Sequence, residues 1–277
     1  MSVNKETIAR IRTQFLETVV KTSDGDCDDG CYHSADLDRI RSDDWTVERY
    51  LLTTKSEDEA VKAIQRTMRW RKSFGLNDFR DQRFPSEMWS TGLVVRYCRD
   101  RADRPVVYVQ NSRYRKCGPD WLQRFKEFIV WQYESADREA GAAGWGLIND
   151  ANGAGLANVD IELSRFMIDV LKHYYPGGPR YLLAVDLPWI LKATAQLIVS
   201  FMNDSLRSIY RAIKSADLRE YLSPEWIPIH LGGLYSGPPL GSVIPDNVLQ
   251  MTDQSMSGQF TDDQIRKFYA VYKSELK

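Results

Sequence analysis

The chain has 277 residues, 43% of them hydrophobic and 27% charged, with a formal net charge of −1 and a pI near 6.3. That length and apolar content suffice for one substantial core or two smaller ones. The near-neutral balance excludes a general nucleic-acid binder, which carries a basic excess. Charge is nevertheless polarised along the chain. Residues 22–48 hold Asp24, Asp26, Asp28, Asp29, Asp36, Asp38, Asp43, Asp44 and Glu48 against Arg39 and Arg41, whereas residues 96–116 gather Arg96, Arg99, Arg101, Arg104, Arg113, Arg115 and Lys116. Such polarity can orient a protein toward an anionic membrane surface, although a solvated face explains it equally well.

Ile8, Ile11, Phe15 and Val19 fall at helical spacing among charged residues, which predicts an amphipathic first helix and not a signal peptide with an apolar centre. An Asp-rich loop is expected around Asp24 to Gly30. Ser56 and Glu59 form a capping-box pattern that opens a helix with Val61, Ile64 and Met68 on one face, closing near Trp70-Arg71 and Gly75. Val94 to Cys98 and Pro105 to Val109 read as a hairpin around the charged turn Arg99 to Arg104. Pro119 starts a helix with Trp121, Leu122, Phe125, Phe128, Ile129 and Gln132, which ends at Gly141 and Gly144. Trp145 to Asn149 is a short strand. Asp160 caps a helix bearing Leu163, Phe166, Met167, Val170 and Leu171, and Tyr181 to Val185 is a buried strand. Strands alternating with helices predict a largely parallel sheet. Beyond the Pro-, Gly- and Ser-rich segment 236–242, Thr261 and Gln264 form a second capping box, with Phe260 and Ile265 as its staple. The helix that follows carries Ile265, Phe268, Tyr269 and Tyr272.

Residues suited to catalysis are sparse. The three histidines are His33, His173 and His230, and neither a Gly-x-Ser-x-Gly elbow nor a phosphate loop is present. No enzymatic activity is expected; an enzyme using Asp150 and His173 is a remote alternative. Cys27, Cys31 and His33 fit no zinc spacing. Asp24, Asp26 and Asp28 do not start a calcium loop, because Asp29 and Ala35 occupy its glycine and glutamate positions. No metal and no cofactor is therefore expected. The four cysteines, Cys27, Cys31, Cys98 and Cys117, make no compact disulfide framework, which favours a reducing, cytoplasmic setting. The longest apolar stretch, Pro188 to Met202, is too short to span a bilayer at ~20 residues.

That stretch carries most information. Ile190, Leu191, Thr194, Leu197, Ile198, Phe201 and Met202 share one broad helical face, while Ala193, Ala195 and Val199 leave little polar surface opposite. A helix apolar nearly all round is buried or faces lipid. It follows Tyr174-Tyr175-Pro176, a strand and Asp186-Leu187-Pro188-Trp189, and precedes Pro228-Ile229-His230-Leu231-Gly232-Gly233. Together with Trp70-Arg71, Arg104-Pro105-Val106-Val107 and the Asp150 to Asp160 loop, this ordered set resembles the CRAL-TRIO lipid-binding family over about residues 40–235.

The resemblance implies an α/β fold: a mostly parallel sheet floor with covering helices around an apolar lipid pocket, preceded by a small all-α lobe. The expected divisions are an N-terminal helical lobe (1–82), the lipid-binding domain (83–235) and a C-terminal extension (236–277). The resemblance further implies a lipid carrier with a mobile gate helix near residues 189–213, in which Trp189, Ile190, Leu197 and Met202 belong to the gate. Leu147, Asn149, Leu183 and Val185 on strands and Phe166, Val170, Thr194, Ile198, Phe201 and Ile213 on helices are the expected lipid-binding residues. Taking a lipid with ~30 methylenes from a bilayer costs on the order of 24 kcal/mol at ~0.8 kcal/mol per methylene, which only a comparably apolar cavity offsets. Phosphatidylinositol-transferring members carry a glutamate after the tyrosine-proline step and a lysine in the helix after the gate; Gly177 and Ile209 stand at those positions. Neutral, sterol-like and other phospholipid ligands therefore stay open. The expected partners are a lipid, a transient membrane contact at the cytoplasmic face or on lipid droplets, and a protein partner for the C-terminal helix. The rival reading is a membrane-peripheral interaction scaffold with a vestigial pocket.

Overall fold

The computed structural model describes residues 4–23, 30–273 and 276; the Asp-rich loop expected around Asp24 to Gly30 lies almost wholly outside the described residues. The chain divides into two compact units, residues 1–79 with 173–178, and residues 80–172 with 179–277.

The first unit is helical: α1 (Lys5–Ser23), α2 (Ser34–Ser42), α3 (Trp45–Leu51) and α4 (Glu57–Phe74). Helix α4 begins as its capping box requires, with Glu59 N donating to Ser56 Oγ at 3.2 Å and Lys55 N to Glu59 Oε2 at 2.8 Å. It stops at Gly75, whose φ of 71° provides the left-handed turn. Ile8, Ile11 and Phe15 of α1 meet Ile40, Val47, Tyr50, Ile64 and Met68 in one core. Beside it lies a buried polar knot: Arg71 Nε donates to Asp36 Oδ1 at 2.8 Å, and Asn77 Nδ2 to Asp36 Oδ2 at 2.6 Å.

The same unit explains the tyrosine-proline step. Tyr174 stacks on Trp70 with ring centroids 3.9 Å apart. The carbonyl of His173 accepts from Thr67, and that of Pro176 accepts from Arg49 Nε at 2.9 Å. These residues anchor the segment to the helical lobe, where a backbone carbonyl and flat ring faces meet an arginine and a tryptophan.

The second unit is α/β. It comprises α5 (Ser86–Ser90), β1 (Val94–Arg99), β2 (Pro105–Gln110), α6 (Pro119–Ala140), β3 (Trp145–Asp150), most of α7 (Ile161–Tyr174), β4 (Pro179–Val185), α8 (Lys192–Ser200), α9 (Asp204–Ile209), β5 (Tyr210–Ile213) and α10 (Asp262–Tyr272). The sheet order is β1-β2-β3-β4-β5. Only the β1–β2 hairpin is antiparallel; β2, β3, β4 and β5 run parallel. The fold expectation therefore holds, with one correction. The segment expected to continue as gate helix to residue 213 breaks after Ser200, turns through α9 and ends in β5. Tyr210 to Ile213 pairs with Leu182 to Val185 as a sheet edge.

One face of this sheet is filled. Val106, Tyr108, Ile148, Leu183 and Val185 pack on Leu218, Leu222, Ile227 and Leu231. The glycine pair closing that cover is required by close approach. Gly232 takes φ 80°, and a Cβ on Gly233 would lie 1.9 Å from the carbonyl oxygen of Ile227.

The C-terminal segment docks on its own unit. Helix α10 starts on the expected Thr261–Gln264 capping box. Phe260, expected to staple Ile265, stacks on Trp121 at 5.5 Å. Phe268 sits 4.5 Å from the Trp121 ring, and the Trp121 indole donates to Gln264 O at 3.0 Å. Ahead of α10, the buried Glu87 carboxylate accepts from Met251 N and from the Tyr269 hydroxyl at 2.5 Å. Cys98 and Cys117 are free thiols, whereas Cys31 is disulfide-bonded, a departure from four reduced cysteines.

Candidate functional site: an apolar cavity beneath helix α8

The other face of the sheet is covered incompletely and encloses a cavity of about 200 Å³. Its floor is Val109, Leu147, Asn149, Leu182 and Ala184; Ile129 and Tyr133 of α6 and Leu163, Met167, Ile168 and Leu171 of α7 form two walls. Thr194, Ala195, Ile198 and Val199 of α8 close it, with Leu191, Met202 and Tyr210 at the ends of that cover. Parallel register sets the floor, because Leu147 lies beside Leu182 and Asn149 beside Ala184, so these residues point to one side.

The polar groups of the lining cluster beyond the carboxyl ends of the strands, where open parallel sheets place ligands. Asp160 caps α7 there, with Oδ1 accepting from Leu163 N at 3.0 Å and Oδ2 from the Tyr114 hydroxyl at 3.0 Å. Burial and the adjacent carboxylate push the Tyr114 hydroxyl pKa up, so Tyr114 remains a donor. Asn158 spends its amide on three backbone partners: it donates to Ser112 O and Tyr114 O and accepts from Gly155 N. These bonds fix the loop between β3 and α7 as a rigid rim.

Four of the expected lipid-binding residues, Leu147, Asn149, Thr194 and Ile198, line the cavity together with Met202. The others are placed elsewhere. Leu183 and Val185 occupy the filled face, and Ile213 packs there too. Strand β4 is buried on both sides, so its apolar residues do not reveal which set faces the cavity. Ile213 is a strand residue and not a helical one, paired with Val185 and turned with it. Phe166 and Val170 do not line the cavity, which α7 meets with Leu163, Ser164, Met167, Ile168 and Leu171; Lys126 sits 5.3 Å over the Phe166 ring. Phe201 follows α8 and lies beneath Arg165. Sequence reading missed Ile129, Tyr133, Met167 and Leu182, although the α6 and α7 periodicities contained the signal for three of them.

Helix α8 is the least anchored wall. No residue between Lys192 and Ser200 is buried, and on its outer side Leu197 is 46% exposed. Just before it, Trp189 is 80% and Ile190 45% exposed. The segment therefore turns Thr194, Ala195, Ile198 and Val199 to the cavity and shows Trp189, Ile190 and Leu197 to solvent among the polar Lys192, Gln196 and Ser200.

Asp150 belongs to the filled face. Fully buried, it accepts from the Tyr108 hydroxyl at 2.5 Å and pairs with His230 Nε2 at 2.7 Å, so its partner is His230 and not His173. The network ties the glycine-terminated cover to the sheet, a structural role. Among the described residues no cluster of potential metal ligands is present, and no helix is long and apolar enough to cross a membrane.

The CRAL/TRIO domain family matches residues 90–233, just over half of the chain, and the protein belongs to that family. The chain is 24% identical to Patellin-5 of Arabidopsis thaliana over 64% of its own length and 29% of that protein. It is 29% identical to the phosphatidylinositol transfer protein CSR1 of Eremothecium gossypii over 36% of its length and 23% of that protein. It is 26% identical to the human tyrosine-protein phosphatase non-receptor type 9 over 31% of its length and 14% of that protein. The chain thus spans less than a third of these curated relatives. In fold it is similar to the crystal structure of Sfh5, with a TM-score of 0.62 and 14% identity, covering 96% of this chain and 97% of that one. A likeness of Asp43-Asp44-Trp45, Tyr174-Tyr175 and Pro188-Trp189 to the lipid-binding region of motile sperm domain-containing protein two is not among these findings.

Proposed function

We propose that this chain is a non-catalytic lipid carrier that holds a hydrophobic ligand beneath α8 and exchanges it at a membrane surface when the Trp189–Ser200 segment moves outward. The observation that carries the reading is the pairing of an apolar cavity with a cover that exposes Trp189, Ile190 and Leu197 and buries none of its helical residues. An exposed apolar strip of this kind marks a membrane or partner contact. Trp189 in particular suits the interfacial zone of a bilayer. Lys192 in α8 and Arg207, which reaches Ser200 O at 3.3 Å, are exposed beside the strip and suit anionic headgroups. Membership in the CRAL/TRIO family and similarity to a phosphatidylinositol transfer protein support the same reading.

A cavity of about 200 Å³ is below the roughly 300–1,000 Å³ of ordinary ligand sites. Accommodating a large lipid therefore requires α8 to yield, and its shallow anchoring keeps that displacement cheap. The membrane-peripheral location follows from the mechanism, because acyl chains then pass from bilayer to cavity without crossing water.

The test is transfer of a fluorescent lipid between vesicles. Leu197→Asp alters only the outer side of α8. The expected result is native circular dichroism with transfer slowed at least tenfold; transfer at the wild-type rate would refute a role for α8 at the membrane.

A further inference from the structure

Tyr133 stands apart from the other polar groups of the cavity. It lies on α6, is only 2% exposed and lines the cavity, with its ring 5.1 Å from that of Trp145 at the start of β3. The amide and carboxylate rim lies at the other end of the strands, so Tyr133 is deep. Its hydroxyl makes no hydrogen bond among the described residues, whereas the Tyr114 and Tyr108 hydroxyls each meet a carboxylate. A hydroxyl that lines an apolar cavity without a protein partner is left free to bond a ligand. Burial also raises its pKa, keeping it a neutral group able to donate or accept.

The rim has a complementary character. The α7 N-terminus would be the anion-binding feature of this wall, but Asp160 already occupies it and presents a carboxylate to the cavity. Beyond that the lining consists of aliphatic, aromatic, amide and hydroxyl groups. A phosphate placed among them meets a negative charge and no neutralising cation. Size points the same way. A 150 Å³ apolar cavity accepts one benzene ring, so about 200 Å³ suits a single ring or a short stretch of one chain before α8 must move.

From these observations we infer that the cavity selects an uncharged lipid built on one chain or ring system, whose oxygen function is held at depth by the Tyr133 hydroxyl. This rests on the carrier reading and narrows it, making Tyr133 a specificity-determining residue. Anionic two-chain lipids are then disfavoured as cargo, though they remain suitable as the docking surface.

The experiment measures three probes on the full chain by fluorescence: a pyrene-labelled long-chain alcohol, the alkylpyrene of equal length without the oxygen, and pyrene-labelled phosphatidylinositol in phosphatidylcholine vesicles. The alcohol should bind more tightly than the alkylpyrene. Tyr133→Phe, which keeps the ring, should reduce the alcohol-to-alkylpyrene affinity ratio about fivefold, the equivalent of a net hydrogen bond of about 1 kcal/mol at 1.4 kcal/mol per factor of ten. Phosphatidylinositol should bind at least tenfold more weakly than the alcohol. An unchanged ratio in Tyr133→Phe, or phosphatidylinositol bound as tightly as the alcohol, would overturn the inference while leaving lipid carriage intact. Failure of every probe to bind would overturn both.

Discussion

Helices α6 and α8 wall the same cavity from opposite conditions of packing. Along α6, Trp121, Phe125, Phe128, Ile129 and Tyr133 are buried, and Phe128 meets Phe84 at 5.1 Å and Trp89 at 4.9 Å. The C-terminal helix braces it further through Trp121. Along α8 no residue is buried, and its apolar content is divided between cavity and solvent. Hydrophobicity alone would rank α8 as the more core-like of the two. The difference teaches that an apolar helix need not be a core helix, and that a carrier needs one wall that stays and one that yields.

The largest expected effect follows from truncating the two walls in turn. Phe128→Ala on α6 should cost about 3–5 kcal/mol in urea unfolding, while Leu197→Ala on α8 should change stability by less than about 0.5 kcal/mol. Equal losses would remove the contrast. A second effect, of about 1 kcal/mol, has the opposite sign. Gln132 on α6 is fully buried with neither amide atom hydrogen-bonded among the described residues, so Gln132→Leu should stabilise the protein, and a destabilised variant would reveal a partner for that amide. Of similar size is the brace. The Tyr272 hydroxyl accepts from Arg115 N at 2.9 Å, and Tyr272→Phe should cost about 1 kcal/mol.

A subtler effect concerns pH. Burial pushes the Cys98 and Cys117 thiols up from 9.0 to about 12, with Asp100 adding to the shift at Cys98. Burial, followed by Glu87, raises the Tyr269 hydroxyl from 10.0 to about 12. For an acid whose pKa is raised by folding, the native state holds the proton longer. The stabilisation is complete below the unfolded value and is lost as pH rises toward the folded one. Unfolding free energy should therefore fall progressively between about pH 9 and 12. At pH 8 the thiols, Cys117 buried and Cys98 half-buried, should react with a disulfide reagent more slowly in the native than in the denatured protein, Cys117 the slower; native reaction as fast as denatured would contradict the raised thiol pKa values.

The sheet and its order of elements were legible because their signals are local. Asp160 before an apolar periodic run, the Thr261–Gln264 box and the β-branched hairpin each act within a few residues. The ordered tyrosine-proline, proline-tryptophan and glycine-glycine steps carried the family. The site was legible only by half. Leu147 and Asn149 do line the cavity, whereas in β4 the lining residues are Leu182 and Ala184 and not Leu183 and Val185, since β4 is apolar on both faces and only pairing with β3 settles its orientation. The Tyr210–Ile213 strand escaped because four residues next to an apolar helix carry no period of their own. Tyr133 escaped because its importance lies in what its hydroxyl does not touch.

The most direct test of lipid carriage is native mass spectrometry, with lipid extraction, of the wild-type chain and of Thr194→Trp after incubation with mixed-lipid vesicles. Thr194 faces the cavity from α8, and a tryptophan there would fill it. The account predicts a one-to-one lipid adduct on the wild type and its loss in the folded variant. A bare wild-type mass, or an adduct retained equally by both, would contradict the claim that ligand lies beneath α8.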